Sequence, residues 1–169
     1  MGKAIYIIYT VLLMVLTAGC QQESAIEWHI SKEAAVEYGL KQEQAEPGSV
    51  ISIEAFEGET IVFYEYRGGL GIAHIAESER GYGWKRSQPY YDFETTGKLD
   101  FSTSAFDIEM ESGPPFSVLI GKAFDPSIQQ MKLSGDGTER MMKVFDDSRF
   151  FYAFHTISAD EIEVSAIIK

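Results

Sequence analysis

From residue 50 onward the apolar residues recur mostly at every second position, and Gly, Pro, Asp and Ser interrupt them at short intervals. A period of two sends alternate side chains to opposite faces of a strand, so this spacing predicts antiparallel β-structure. Ile51, Ile53 and Ala55 alternate with Ser52, Glu54 and Phe56, and Glu57-Gly58 reads as a turn. Residues 60–66 are rich in β-branched and aromatic side chains, which fit a pleated, half-buried surface. Gly68-Gly69 closes a hairpin onto residues 70–76, residues 78–81 turn again, and residues 82–87 return. These four runs form a predicted meander. Residues 88–100 carry Pro89, two tyrosines, Phe93 and Gly97, and read as a loop with a short strand.

The second half repeats the pattern. In residues 105–111, Phe106, Ile108 and Met110 face one side while Asp107, Glu109 and Glu111 face the other, a strand with one wet face. Ser112-Gly113-Pro114-Pro115 ends it. Residues 116–124 are almost continuously apolar, which predicts a central strand. Asp125-Pro126-Ser127 turns the chain, and residues 128–133 and 140–145 flank Gly135-Asp136-Gly137 as a second hairpin. After Asp146-Asp147-Ser148, residues 150–157 are apolar on both faces. In the last strand Ile162, Val164, Ala166 and Ile168 alternate with Glu161, Glu163 and Ser165.

Only residues 31–40 read as a helix. Ser31 can cap it, Glu33 lies in the first turn where the dipole favours an acid, and Val36 and Leu40 share a face. Gly39 is the expected left-handed stop, with Leu40 folding back on the last turn. Residues 41–49, with Pro47-Gly48, read as a connection. The expected fold is α+β, mainly β: an antiparallel sheet or two-sheet sandwich of roughly nine strands with one short N-terminal helix packed on it.

The first twenty residues follow neither period. Lys3 is the only charge before Glu23, and residues 4–18 are apolar except for two tyrosines, Thr10 and Thr17. A basic start, an apolar middle and small residues before a cut site mark a secretory signal, and the run is too short for an ordinary membrane span. It ends Leu16-Thr17-Ala18-Gly19-Cys20, and Cys20 is the only cysteine of the chain. This resembles the lipobox of bacterial lipoproteins, although Thr17 stands where a branched apolar residue or leucine is more usual. The resemblance implies that the Cys20 thiol receives a diacylglyceryl group and that the chain is cut before it. Two acyl chains hold a protein on a membrane where one is marginal. The resulting organisation is 1–19 signal peptide, 20–26 lipidated tether and 27–169 a single globular domain. More loosely, this start, a short helix ending Tyr38-Gly39-Leu40 and a hairpin over residues 59–76 resemble small uncharacterised lipoproteins of Gram-positive bacteria; that likeness implies no activity or site.

Charge and chemistry narrow the function mainly by exclusion. Lys3 is the only charge lost with the leader, so the remainder carries 13 basic against 26 acidic side chains. Such a balance argues against nucleic acid, whose phosphates must be neutralised by Lys and Arg, and against a body lying flat on anionic lipid. With Cys20 lipidated no internal disulfide can form, and cysteine catalysis and cysteine-based zinc sites are excluded. His29, His74 and His155 lie in different elements with no metal-ligand spacing, so His74 and His155 read as core histidines. Gly68-Gly69-Leu70-Gly71 lacks the lysine of a phosphate loop, and Gly135-Asp136-Gly137 lacks the carboxylates of a calcium loop. No serine-hydrolase motif occurs, and no cofactor or metal is expected.

The most suggestive stretch is residues 81–93, GYGWKRSQPYYDF. On a strand Tyr82, Trp84 and Arg86 share one face, with Tyr90 and Tyr91 following on a loop. Trp, Tyr and Arg dominate interface energetics, so these five are the candidate binding residues, set against their packing simply as core aromatics. The expectation is a membrane-anchored lipoprotein facing out of the cytoplasm, a non-catalytic binding or accessory protein contacting an envelope protein or glycan. The alternatives are an envelope hydrolase using a carboxylate pair and a tethered inhibitor or immunity-type protein with a basic partner.

Overall fold

Ser31 starts helix α1 (Lys32–Gln42) as its sequence requires: its extended backbone turns the chain and its hydroxyl accepts the Ala34 N–H at 3.2 Å. Its own backbone N–H first, and the Ser31 hydroxyl second, hold the Glu33 carboxyl below the usual carboxylate range. In this computed structural model, residues 26–87, 89–93, 99–108, 116–135, 137–157 and 161–168 are described. The helix does not stop at Gly39. It continues to Gln42 and closes with Gln44 N–H donating to the Lys41 carbonyl and Ala45 N–H to that of Leu40. Gln44 takes the left-handed conformation, φ 58°, that glycine usually occupies there. Gln44→Gly should therefore stabilise the fold by about 1 kcal/mol, read as a higher urea midpoint at unchanged m-value.

Gly39 serves another purpose. A Cβ at this position would lie 1.9 Å from Trp84 Cδ2, so the indole packs flat against bare helix backbone. The glycine marks a close approach and is not a terminator.

Among the described residues eleven strands follow the antiparallel pattern: β1 (Trp28–His29), β2 (Val50–Phe56), β3 (Glu59–Tyr66), β4 (Gly69–Ser78), β5 (Gly81–Arg86), β6 (Phe101–Ile108), β7 (Phe116–Ala123), β8 (Ile128–Gly135), β9 (Thr138–Lys143), β10 (Phe150–His155) and β11 (Glu163–Ile168). They form three sheets and not the expected one or two, ordered β1-β5-β4-β3-β2, β10-β7-β6 and β11-β8-β9. The predicted meander is β2 to β5. Its hairpins turn on Glu57-Gly58 and Arg67-Gly68, all four residues at positive φ. The second turn thus falls one residue before the expected pair, and Gly69 lies in β4 opposite Tyr66.

The hydrophobic clusters show how the layers stack. Ala35, Val36 and Leu40 of α1 pack on Val62, Tyr64, Ala73 and Ile75 of the first sheet. From its other face Ile61, Phe63, Leu70 and Ile72 meet Phe116, Val118, Ile120 and Phe150 of the second. That sheet's far face, with Leu119 and Phe151, meets Ile128, Met131 and Leu133 of the third. The order is helix, sheet, sheet, sheet. β7 is central in the middle sheet and buried on both sides, which explains its unbroken apolar run.

Two features redirect the pattern. A bulge between Val50 and Ser52 shifts the register of β2 on β3. Beyond it Ser52, Glu54 and Phe56 are half-buried, while Ile53 is 52% exposed, the reverse of what the alternation suggests. At the corner from β7 to β8, Asp125 accepts hydrogen bonds from the Ser127 amide (2.8 Å) and hydroxyl (2.7 Å). These bonds hold its carboxyl below the ordinary range. Arg149, at φ 62°, donates to the carbonyls of Asp125 (3.1 Å) and Ile128 (2.7 Å), pinning the corner where the chain changes sheets.

His155 is buried, and its Nδ1 lies 3.1 Å from the Ile157 carbonyl. Burial lowers its pKa below the ordinary value near 6.5, with the Ile157 bond opposing. The unfolded chain therefore takes up a proton below about pH 6.5 that the folded chain resists. Stability should fall as pH drops from 6.5 towards the folded pKa. In His155→Leu, urea midpoints between pH 7 and 5 should decline less.

Candidate functional site

The five candidate residues split between two sides of the first sheet. Tyr82, Trp84 and Arg86 alternate along β5 and share the face on which α1 lies, as their spacing requires. Tyr90 joins them, its ring 6.0 Å from Tyr64 and 4.9 Å from Tyr66. Tyr91 does not. Its backbone bridges to Leu70 by two hydrogen bonds, and its ring stacks on Phe106 at 4.9 Å between the first and second sheets. Consecutive residues of an extended segment point oppositely, so one of the two tyrosines had to turn away.

On the helix side the aromatics are partly core. Trp84 packs on Gly39 and lies 5.4 Å from Tyr64, and Tyr82 has the Lys32 ammonium 5.6 Å above its ring. The Tyr64 ring covers Gly71, where a Cβ would meet it at 2.4 Å. Burial first, and the neighbouring Tyr90 hydroxyl second, raise the Tyr64 pKa beyond the ordinary phenol range. Tyr90 is also raised, again chiefly by burial.

Glu43, the helix cap, organises the rim. Its Oε2 accepts the Tyr90 hydroxyl at 2.7 Å and the Arg86 guanidinium at 3.1 Å, while that guanidinium lies 5.3 Å over the Tyr90 ring. The Arg86–Glu43 ion pair alone contributes little, since the arginine side chain is 44% exposed. Shared with the phenol, it fixes three side chains in one arrangement. Sequence reading passed over Glu43, because a carboxylate after a helix carries no motif. The signal available was its place at the helix end, across from an aromatic-basic strand.

Between α1 and β5 this rim borders a cleft of about 430 Å³ lined by Ile26, Glu27, Tyr38, Gln42, Glu43, Trp84, Lys85 and Arg86. Tyr38, on the wall, hydrogen-bonds Glu27, which with burial raises its pKa, and its ring lies 4.6 Å from His29. The buried Trp84 indole N–H has no acceptor among the described residues. The cleft therefore presents two aromatic side chains, a primary amide, the Arg86 guanidinium and two carboxylates; Lys85, between Trp84 and Arg86 on β5, sends its side chain to the sheet's other face. Both carboxylates already act as hydrogen-bond acceptors, Glu43 towards a guanidinium.

His74 and His155 are both buried, and His74 Nδ1 lies 3.2 Å from Ser87 Oγ. Among the described residues no group of three His, Cys, Asp or Glu could hold a metal ion. Cys20 lies outside the described residues. The chain matches no protein-family model, no curated protein and no solved structure.

Proposed function

We propose that this chain is a lipid-anchored, extracytoplasmic binding protein of the cell envelope. Lipid on Cys20 holds it at the membrane, and the cleft between α1 and β5 receives an envelope protein or glycan. One observation supports the binding role most: Tyr38, Gln42, Glu43, Trp84 and Arg86 converge on one concave surface. Aromatic rings offer apolar faces there, while amide and charged groups fix orientation. The sequence supports the anchor through Leu16 to Cys20. Among the described residues no helix is long and apolar enough to cross a membrane.

Trp84 and Tyr90 are poor positions for testing this role, since both pack in the layer between helix and sheet. Gln42 is exposed on the cleft wall, so Gln42→Trp fills the cleft without touching the core. The folded variant and the parent should be compared on an array of cell-wall saccharides and against purified envelope proteins. Loss of a ligand that the parent retains supports the cleft; equal binding by both removes it. The anchor is tested separately, by the intact mass of the membrane-extracted protein and by release of Cys20→Ser from membranes.

A further inference from the structure

We infer that the corner joining β1 to α1 rests against the lipid surface and orients the domain on the membrane. The inference depends on the anchor proposed above but is independent of the cleft. Ile30, at this corner, is 96% exposed, more than the other large exposed apolar side chains among the described residues. The corner is held in place. Ser31 caps α1 on one side of Ile30, and His29 pairs with Tyr82 on the other. A Cβ on Gly81 would lie 2.1 Å from the His29 carbonyl, so the β4–β5 turn is pressed against the same backbone.

The surroundings suit a lipid interface. The Arg80 guanidinium lies 4.6 Å over the Trp28 ring, and the Lys32 ammonium 5.6 Å over that of Tyr82. Aromatic rings at headgroup level, the Arg80 guanidinium and one projecting aliphatic side chain make a composition found where proteins meet the bilayer interface, while the Lys32 ammonium turns back to the sheet and donates to Thr60 Oγ1 at 3.0 Å. Glu27 and Glu33 beside the corner and Glu77 and Glu79 at the β4–β5 turn are the nearby acids, and Glu77 is 3.6 Å from the Lys32 ammonium. They outnumber the cations Lys32 and Arg80, so the contact should come from apolar burial on neutral lipid and not depend on anionic lipid.

The tether supplies the proximity. Ile26 lies six residues after Cys20. Even fully extended, that segment spans only about 22 Å. Once the lipid is inserted, contact by the corner is effectively intramolecular, and a surface too small to bind a membrane alone can stay on it. The third sheet is separated from the helix layer by two intervening sheets and should face away.

Glu33→Cys provides the test, since this exposed position lies three residues after Ile30 and leaves the contacting side chain in place. Cys20 sulfur should be consumed by lipid, so the full-length membrane-extracted variant should take one thiol-reactive fluorophore per chain, and the parent none. A parent that labels would show that the anchor had failed, a result distinct from failure of the corner. The labelled protein is reconstituted into phosphatidylcholine vesicles containing a lipid with a spin label near the headgroup. Met141→Cys, at a 53% exposed site on β9, serves as the distant comparison. Quenching at position 33 should exceed that at position 141 by roughly threefold or more, in low and high salt alike, and adding Ile30→Ser should reduce it. Equal quenching at the two positions, on protein that stays with the vesicles, would overturn the inference.

Discussion

Gly121→Ala should cost about 3 kcal/mol of unfolding free energy, the upper part of the range for overpacking a core. Gly121 lies in β7, opposite Phe151 of β10. A Cβ there would sit 2.2 Å from Phe151 Cζ and 2.6 Å from the Ser102 carbonyl oxygen. The first contact could be relieved by moving a ring, but that ring is fully buried against the third sheet. The second is with the backbone of β6, which is hydrogen-bonded along β7 and cannot retreat alone. Glycine to alanine also restricts the unfolded chain, a stabilising effect of about 0.4–1 kcal/mol that the clash must exceed. Gly48→Ala, where no atom lies within 4 Å of the added carbon, should stay within about 0.5 kcal/mol of the parent. Urea midpoints check both. Adding Phe151→Leu should recover only part of the loss, because the contact with Ser102 remains. Full recovery would place the strain wholly in the ring.

Tyr152→Phe should cost about 2 kcal/mol although it keeps every ring contact. The ring stacks on Phe63 at 3.9 Å and on Phe145 at 5.7 Å. Its hydroxyl lies 2.6 Å from Ser52 Oγ and donates to Glu54 Oε1 at 2.5 Å, tying β2 to β10 across the two sheets. Removing the hydroxyl leaves a half-buried carboxylate and a serine without this partner. Replacing the whole network with apolar groups, Ser52→Ala, Glu54→Met and Tyr152→Phe together, should restore most of the stability, because no polar group is then left unsatisfied. The pH dependence separates this network from simple packing. Burial first, then the bond to Glu54, raises the Tyr152 pKa beyond the ordinary phenol value of 10, against a lowering by Ser52. The unfolded chain thus ionises at about pH 10 while the folded chain does not. Stability present below pH 10 is lost as pH rises above it, and Tyr152→Phe should lose it less steeply. Equal alkaline slopes in parent and variant would contradict this role for the phenol.

Much of the architecture could be read locally. The cap at Ser31, the Glu57-Gly58 turn, the meander from β2 to β5 and the central position of β7 all depend on neighbouring residues, whose periodicity and turn chemistry are written in order along the chain. β1 could not be read that way, since two residues carry no period. The candidate site was half legible. Tyr82, Trp84 and Arg86 share a face by parity, but Glu43, which binds Arg86 and Tyr90, comes from an element some forty residues earlier.

By itself, then, the order of residues determined a predominantly antiparallel chain with one capped helix. The tertiary structure decided the division into three sheets, the reversal of β2 at its bulge, and the positions of Gly39, Gly71 and Gly121 beneath Trp84, Tyr64 and Phe151. The physical reason is the range of the forces involved. Strand and turn preferences act over a few bonds, whereas a seat for an aromatic ring exists only once two backbones have come within its thickness of each other.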